Sequence, residues 1–235
     1  MDNAGYTALT RQSGLMAEMR TIANNIANAN TTGFRAEGVI FAEHIKQTGS
    51  DSLSMATASV RDTVQAQGAL AQTGGPFDLA IEGDGFFLID TPNGQRLTRA
   101  GSFTPNEVRD LVTMDGHPVL DAGGAPVFIP TGLGPVGIAP DGTISAGGRP
   151  VGQIGLFLPE DPLSLTREDG VRFSTNGVLP AEDSRMLQGY VEESNVDPVL
   201  QVARMIEVQR AYELGQSFME NEDKRIRGVI DTLGR

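Results

Sequence analysis

The sequence predicts an α+β protein in which long N- and C-terminal helices pair as a coiled coil. The segment between them is predicted to form a central all-β domain, an antiparallel sandwich or barrel-like structure. Three features of the 235 residues predict this fold. Both ends carry apolar residues at helical spacing, the interior holds most of the 29 glycines and 13 prolines, and short apolar runs alternate there with turn sequences. The two terminal helices are separated in the sequence by the whole interior. Their pairing therefore indicates that the ends of the chain are assembly surfaces rather than parts of a catalytic centre.

The first element is an N-terminal assembly helix within residues 1–34. Leu15, Met19, Ile22 and Ile26 recur at spacings of four, three and four residues, which places them in one stripe of a helix. An Asn-Thr-Thr-Gly run follows, and asparagine and glycine favour the left-handed conformation that ends helices. We therefore expect the helix to stop at this run.

An extended connector is predicted for residues 35–72. The stretch from Thr48 to Ser59 is polar and rich in small residues, and it shows no clear period. Such a composition buries little apolar surface, so we expect the connector to order only against a neighbour.

The central β domain is predicted for residues 73–190. Its strand-like runs are separated by turn sequences such as Asn93-Gly94, Asp115-Gly116 and Asp141-Gly142. The runs lie at 79–81, 85–89, 96–99, 108–113, 118–120, 127–129 and 153–158. Because no helix-period segment alternates with them, a parallel α/β sheet is not expected.

A C-terminal assembly helix is predicted within residues 191–235. Apolar residues recur at every seventh position, namely at Met205, Tyr212, Met219, Ile226 and Leu233. A second row, three residues later, holds Val208 and Val229 but is interrupted by Gly215 and Glu222. An interrupted seam is typical of a helix that packs on several neighbours, and we expect the N-terminal helix to be one of them.

Charge and residue usage exclude several classes of function. The net charge is −12 at pH 7 without an apparent basic face, so nucleic-acid binding is not expected. There is no cysteine, and the two histidines, His44 and His117, lack the spacing of a zinc motif. The G-x-G-x-x-G letters at 132–137 include Pro135, which lacks the N–H that a phosphate site needs. We therefore expect no metal, no cofactor and no enzymatic activity.

The sequence also bears on export. The opening residues, Met1 to Tyr6, lack the basic and apolar regions of a cleaved secretory signal. The longest apolar run in the interior, Phe86 to Ile89, is far too short to span a membrane. We expect no membrane insertion, and a route other than a cleaved signal if the chain leaves the cytoplasm.

The asparagine-rich run allows two interpretations. Asn24 and Asn28 lie four residues apart, hence on one helix face, with Asn25 beside them. Asparagine is a mediocre helix former, so the run suits either amides that bond between neighbouring subunits or a frayed helix end rich in capping residues. The residues alone leave both open.

Several runs, in this order, resemble the signatures of the bacterial flagellar rod and hook protein family. They are TIANNIANANTTGF at 21–34, FDLAIEGDGFF at 77–87, LTRAGSF at 97–103, LVT at 111–113, GHPVL at 116–120, SNVD at 194–197 and MIEVQRAYE at 205–213. Within the family the chain most resembles the basal-body proteins of the proximal rod, and a distal-rod or hook relative is the alternative. Asp110 stands where family members often carry glycine, so we expect the turn there to differ.

The resemblance implies a structural subunit of the rod, the drive shaft that joins the motor to the hook. It implies unfolded export through the flagellar type III apparatus, a periplasmic place in the basal body, and partners that are other rod subunits and copies of this chain. Weak contact with peptidoglycan is conceivable because rods cross the cell wall. Two rivals from other classes are a secreted β-rich hydrolase using carboxylates such as Glu82 and Asp84, and a cell-wall-binding module.

The residues expected at the assembly interface lie in the two terminal segments. They are Leu15, Met19, Ile22, Asn24, Asn25, Ile26, Asn28, Asn30, Gly33, Phe34, Ser194, Asn195, Met205, Ile206, Gln209, Arg210, Tyr212, Met219 and Ile226. Isolated helices are marginal in water, so we expect the terminal helices to be completed by neighbouring subunits.

Overall fold

The computed structural model describes residues 2–48 and 51–233, with side chains described for 7–40 and 62–232. The chain divides into two compact units. The terminal unit comprises Met1–Ala27, Ala36–Val64 and Val196–Arg235, and the β unit comprises Asn28–Arg35 and Gln65–Asn195.

The terminal unit contains two helices and one hairpin. Helices α1 (Asp2–Ala27) and α2 (Pro198–Leu233) accompany strands β1 (Glu37–Thr48) and β2 (Asp51–Thr63), which pair antiparallel. Helix α1 packs against α2 and against both strands. The segment for which the sequence predicts an extended connector therefore holds a long hairpin, and a hairpin of two strands needs such a packing partner to be stable.

Helix α2 begins where a side chain satisfies its first amides. The Asp197 Oδ1 atom accepts hydrogen bonds from the backbone N–H groups of Val199 (2.9 Å) and Leu200 (3.1 Å). Pro198 follows Asp197 as the first helical residue, where its missing N–H has no intrahelical partner to lose. The start of the helix is thus set by two adjacent residues.

The β unit consists of short strands and one 3-10 helix. The strands are β3 (Leu70–Gln72), β4 (Leu79–Glu82), β5 (Phe86–Thr91), β6 (Gly94–Thr98), β7 (Phe103–Pro105), β8 (Leu111–Thr113), β9 (Val136–Ile138), β10 (Thr143–Ala146), β11 (Arg149–Gln153), β12 (Leu156–Pro159), β13 (Thr166–Asp169), β14 (Arg172–Ser174), β15 (Val178–Pro180), β16 (Arg185–Gln188) and β17 (Tyr190–Glu192). The 3-10 helix spans Pro162–Ser164. The largest sheet has the order β13-β14-β6-β5-β12-β15, and β11-β10-β9, β16-β4, β17-β3 and β7-β8 form smaller antiparallel sheets.

Two clusters of buried apolar side chains form the core of the β unit, one on each face of β5. Phe87 and Ile89 belong to the larger cluster, and Phe86 and Leu88 belong to the smaller one. Successive side chains of a strand point to opposite faces of its sheet, so β5 buries both of its faces. This explains why the sequence has an unbroken apolar run at this point.

The class is α+β, with one helix near each end and antiparallel sheets between them, but the predicted coiled coil is wrong. The heptad positions Met205 and Tyr212 are only half-buried, and Ile226 is exposed. Of residues 198–232 of α2, Val208 is the one buried residue. Helix α1 divides its packing between α2 and the hairpin, so no continuous apolar seam forms between the two helices.

Candidate functional site

The two terminal helices contact each other through polar side chains. The Gln12 Nε2 atom donates to the Tyr212 carbonyl oxygen (2.9 Å), and Arg204 pairs with Glu18 at 2.8 Å. The hydrogen bond from Arg204 to Glu18 raises the pKa of the guanidinium. Gln12 and Glu18 are both buried on the inward face of α1, so polar groups occupy positions where a coiled coil would place apolar ones.

One asparagine of the asparagine-rich run joins the end of α1 to the hairpin. Asn25 is fully buried, its Nδ2 atom donates to the Glu37 carbonyl oxygen (2.8 Å), and its Oδ1 atom accepts from the Glu37 amide (2.9 Å). The Nδ2 atom also lies 3.4 Å from Gln201 Oε1. Asn25 therefore satisfies the hydrogen-bonding groups of the backbone at the start of β1, within its own chain. Neither interpretation of the asparagine-rich run includes this role.

Helix α2 also carries a set of apolar side chains that are exposed. Val199, Val202 and Ile206 follow helical spacing and are exposed, and Leu214 and Phe218, four residues apart, are 73% and 53% exposed. We call these five residues the outer apolar side of α2. Single exposed apolar residues are ordinary, but a repeated set on one helix marks an interaction surface.

A buried cluster of three charged side chains fixes the start and end of the β unit. Arg35 and Arg99 share the carboxylate of Glu192, at 3.0 Å and 3.1 Å. All three side chains are at most 3% exposed. Burial lowers the pKa of Arg35 and lowers the pKa of Arg99 to about 10, because desolvation outweighs the attraction of Glu192.

This cluster also holds neighbouring backbone. Arg35 Nη1 donates to the Gln65 carbonyl oxygen (2.6 Å), Arg99 Nη2 donates to the Gly83 carbonyl oxygen (2.7 Å), and the Gly68 amide donates to Glu192 Oε1 (3.1 Å). One carboxylate thus joins segments that are far apart in the sequence. We call Arg35, Arg99 and Glu192 the buried ionic cluster.

Three family models match the two ends and the middle of the chain. Residues 6–35 match the family described as Flagella basal body rod protein, residues 80–146 match the Flagellar hook protein FlgE/F/G D1 domain, and residues 187–231 match the Flagellar basal body rod FlgEFG protein C-terminal family. The flagellar basal-body rod protein FlgF of Mesorhizobium japonicum is 43% identical over 243 residues, covering 100% of this chain and 99% of the relative. The chain belongs to the flagellar basal-body rod protein family. It is most like FlgF: FlgF of Caulobacter vibrioides is also 43% identical, over 100% of this chain and 99% of the relative, whereas FlgG of Bacillus subtilis is 31% identical over 96% and 97%.

The structure distributes the candidate interface residues of this rod protein among three environments. Ile22, Asn25, Gly33 and Phe34 are buried within their own units. Asn24, Asn30, Ile206, Gln209, Arg210 and Ile226 are exposed, and Leu15, Met19, Ile26, Asn28, Ser194, Asn195, Met205, Tyr212 and Met219 are half-buried. The exposed and half-buried residues stay predicted contacts for a neighbouring subunit, while the four buried ones first serve the chain's own packing.

Gly33 and Phe34 illustrate that internal role. A Cβ atom on Gly33 would lie 2.3 Å from the Ala100 backbone nitrogen, and the residue has φ +70°. The Arg167 guanidinium lies 4.5 Å from the centroid of the Phe34 ring, within the range of a cation–π interaction. Only glycine fits at position 33, so the turn after α1 is fixed inside the β unit.

The sequence pattern does not indicate the residues that join α1 to α2 in this rod protein, nor those of the buried ionic cluster. Gln12, Glu18 and Arg204 are polar, and a search for apolar periodicity passes over them. Arg35 and Arg99 lie in signature runs or beside them, yet nothing local indicates that both reach Glu192. The one indication of a buried charge in the sequence is that Arg35 directly follows an apolar residue, Phe34.

Two of the charged side chains that line a cavity of the rod protein's β unit have partners of their own. The cavity, about 530 Å³, is lined in part by Asp78, Asp115 and Arg172. Asp78 accepts a hydrogen bond from Thr73 Oγ1 (2.6 Å), and Arg172 pairs with Asp169. Arg172 Nη1 lies 2.5 Å from His117 Nε2, and since arginine can only donate, that ring nitrogen accepts.

Among the residues that the structure describes, no group of three or more histidine, aspartate or glutamate side chains could hold a metal ion. No described helix is long and apolar enough to cross a membrane.

Proposed function

We propose that this chain is a structural subunit of the flagellar basal-body rod, which assembles with other flagellar subunits and with copies of itself through its terminal helices. The proposed role is mechanical rather than catalytic: the subunit becomes part of the shaft that carries motor torque to the hook. Full-length similarity to FlgF proteins supports the rod and the basal-body location.

The outer apolar side of α2 is the observation that carries the proposal. Helix α1 already has α2 and the hairpin as partners, whereas Val199, Leu214 and Phe218 remain exposed within the single chain. Burying one large apolar side chain contributes about 1.5–3 kcal/mol, and ordering one residue costs about 1–2 kcal/mol for the backbone. A helix whose apolar side chains are left exposed gains stability when a neighbouring subunit covers them.

The polar contacts between the helices fit the same role. An exposed ion pair contributes at most about 1 kcal/mol, so the partly exposed Arg204–Glu18 pair orients the helices more than it stabilises them. Apolar side chains are thereby left for contacts between subunits. Rod growth at a tip that supplies such contacts then orders the helices of each arriving subunit.

The route and position of the subunit belong to the same proposal. We propose export in an unfolded state through the flagellar type III apparatus, a periplasmic position in the proximal rod, and a weak contact with peptidoglycan where the rod crosses the wall. These parts follow from the resemblance in the signature runs at both ends of the chain.

Paired substitutions on α2 test the proposal. Leu214→Ser with Phe218→Ser should leave the helix content of the purified chain unchanged by circular dichroism but reduce its amount in isolated basal bodies at least tenfold. The control changes Gln216→Ser and Glu220→Ser, which are exposed and have the same spacing, and it should enter basal bodies normally. Normal incorporation of the Leu214 and Phe218 variant would rule out this side of α2 as an assembly surface.

A further inference from the structure

The chain contains two Asn-Gly pairs, Asn93-Gly94 and Asn176-Gly177. An asparagine that precedes glycine loses its side-chain amide readily, because glycine has no Cβ atom to hinder attack of its backbone nitrogen on the asparagine side chain. Asparagine is for this reason a thermolabile residue. Since glycine follows in both cases, the sequence alone gives the two pairs the same tendency. The structure places them in different surroundings.

The pair Asn93-Gly94 lies at the open tip of the hairpin that joins β5 to β6. Thr91 pairs with Gly94, so Pro92 and Asn93 form a two-residue turn, and the three residues 92–94 are all exposed. Gly94 has φ +101°, and of the described residues other than its chain neighbours, Arg96 alone would come within 4 Å of a Cβ atom there, at 3.5 Å. Neighbouring segments therefore leave the backbone at Gly94 room to rotate.

The pair Asn176-Gly177 is held on two sides by Glu160. The Glu160 amide donates to the Gly177 carbonyl oxygen (2.9 Å), and a Cβ atom on Gly177 would lie 2.5 Å from Glu160 Oε2. The Thr175 hydroxyl also donates to the Gly177 carbonyl oxygen (3.2 Å). Attack on an asparagine side chain requires the peptide that follows it to rotate, so these contacts protect Asn176.

The Asn93 side chain lines a small cavity with polar walls. Its Nδ2 atom donates to Glu168 Oε1 (3.3 Å), and the cavity, about 210 Å³, is also lined by Thr91 and His117. A polar space of this size has room for water. Hydrogen bonds from Arg96 and, more weakly, from Asn93 lower the pKa of Glu168, so this carboxylate is ionised at neutral pH. Water and a negative charge thus both have a place beside the Asn93 amide.

We propose that Asn93 is a site of spontaneous deamidation in this protein. The Gly94 backbone nitrogen attacks the Asn93 Cγ atom and bonds to it, the Cγ–Nδ2 bond breaks, and ammonia leaves with the proton of the Gly94 amide. Water then opens the resulting succinimide ring. Addition at Cγ gives aspartate, and addition at the backbone carbonyl carbon of residue 93 gives isoaspartate, in which the main chain runs through Cβ and Cγ.

The product changes the contact between this hairpin and β13. A carboxylate at position 93 can only accept hydrogen bonds, so the donation to Glu168 is lost and two negative charges face each other. Isoaspartate also adds one backbone atom to a two-residue turn, which disturbs the pairing of Thr91 with Gly94. The modification goes beyond the proposed function, because it needs neither the terminal helices nor a neighbouring subunit.

Mass spectrometry of tryptic fragments tests the site. Asn93 is the one asparagine of fragment 62–96, and Asn176 is the one asparagine of fragment 173–185. When the purified full-length chain is incubated at mildly alkaline pH before digestion, Asn93 should gain the mass difference between amide and carboxyl at least tenfold faster than Asn176. No gain at Asn93, or equal rates at the two positions, overturns the proposal.

The same incubation in urea separates structure from sequence. The two rates should then agree within about threefold, because the unfolded chain no longer holds the two pairs differently. A tenfold difference that persists in urea would come from the local sequence and would overturn the structural argument. Asn93→Gln should abolish the gain in fragment 62–96, because the longer side chain disfavours the ring. A gain that survives this change lies elsewhere and overturns the assignment.

A variant that carries the product tests the consequence. Asn93→Asp should lower the thermal midpoint of unfolding, and less so in high salt, because the two carboxylates are exposed. In a Glu168→Gln background the same change should leave the midpoint where it is. An equal loss in both backgrounds would show that the new charge does not act on Glu168 and would overturn this contact as the target of the modification.

Discussion

The β unit and the terminal unit differ in what they bury. In the β unit, apolar side chains such as Leu79, Phe87 and Phe173 are fully buried in two clusters. In the terminal unit, the described buried side chains include Gln12, Glu18 and Asn25, while large apolar residues of α2 remain exposed. One unit completes its packing within a single chain, and the other keeps apolar surface available for a partner.

The sheet edges of the β unit show the same contrast. The outer strands of the six-stranded sheet are β13, whose sequence is Thr-Arg-Glu-Asp, and β15, which ends in Pro180. Charged residues and proline on edge strands prevent pairing with the strands of another molecule. The sheet is therefore protected against strand addition, and the surfaces left for assembly are helix faces and exposed turns.

The largest effect is expected from the buried ionic cluster. Glu192→Gln leaves Arg35 and Arg99 buried without a carboxylate and should destabilise the β unit by about 3–5 kcal/mol. Urea unfolding followed by circular dichroism measures this loss. The same change at the exposed Glu168, which pairs with Arg96, should alter stability little. Comparable losses in both variants would mean that burial does not determine the importance of these pairs.

A truncation in each unit compares their apolar residues directly. Leu111 is fully buried and Leu214 is mostly exposed. Leu111→Ala should lower the free energy of unfolding by about 2–5 kcal/mol through lost burial and a cavity. Leu214→Ala should stay within about 0.5 kcal/mol of the parent chain. A large loss at Leu214 in dilute monomer would show that α2 is already covered and would remove the contrast between the units.

Two glycines of α2 test the polar contact between the helices. A Cβ atom on Gly215 would lie 2.6 Å from Gln12 Nε2, whereas a Cβ atom on Gly228 would meet nothing within 4 Å. Gly228→Ala should stabilise the helix by about 1 kcal/mol. Gly215→Ala should gain nothing net, because displacing the Gln12 amide loses a hydrogen bond of about 1 kcal/mol.

Removing the glutamine provides the control for that comparison. In a Gln12→Ala background, Gly215→Ala and Gly228→Ala should stabilise the helix equally, as measured by thermal melting. If Gly215→Ala is already as stabilising in the parent chain, the Gln12–Tyr212 contact does not hold α1 against α2.

Local chemistry accounts for what could be predicted from the sequence. The turn glycines Gly94, Gly116 and Gly142 all have positive φ, as the Asn-Gly and Asp-Gly pairs indicate. The unbroken apolar run of β5 indicates a strand that is buried on both faces, and helical spacing indicates α1 and α2. Each of these signals is contained in a few neighbouring residues.

Contacts between distant positions account for what could not be predicted. The residues that neighbour Arg35, Arg99 and Glu192 in the sequence do not indicate that the three side chains contact one another, because each lies in a different part of the chain. The predicted coiled coil rests on apolar periodicity alone, and periodicity cannot show that α1 faces both a helix and a hairpin. Strand β2 of the hairpin consists mostly of small and polar residues, so its sequence gives little indication that its backbone pairs with β1.

The smallest expected effect concerns the one place where the β unit retains strain. Arg109 has φ 75°. Arg109→Gly relieves this left-handed conformation, worth about 1–2 kcal/mol, offset by about 0.4–1 kcal/mol of added entropy in the unfolded chain, so the net gain should be about 0.5 kcal/mol. Arg149→Gly, at an exposed strand position without positive φ, should instead destabilise by about 0.5–1 kcal/mol. Urea unfolding of both variants measures the difference in sign. If both variants are less stable than the parent chain, the turn at Arg109 is unstrained.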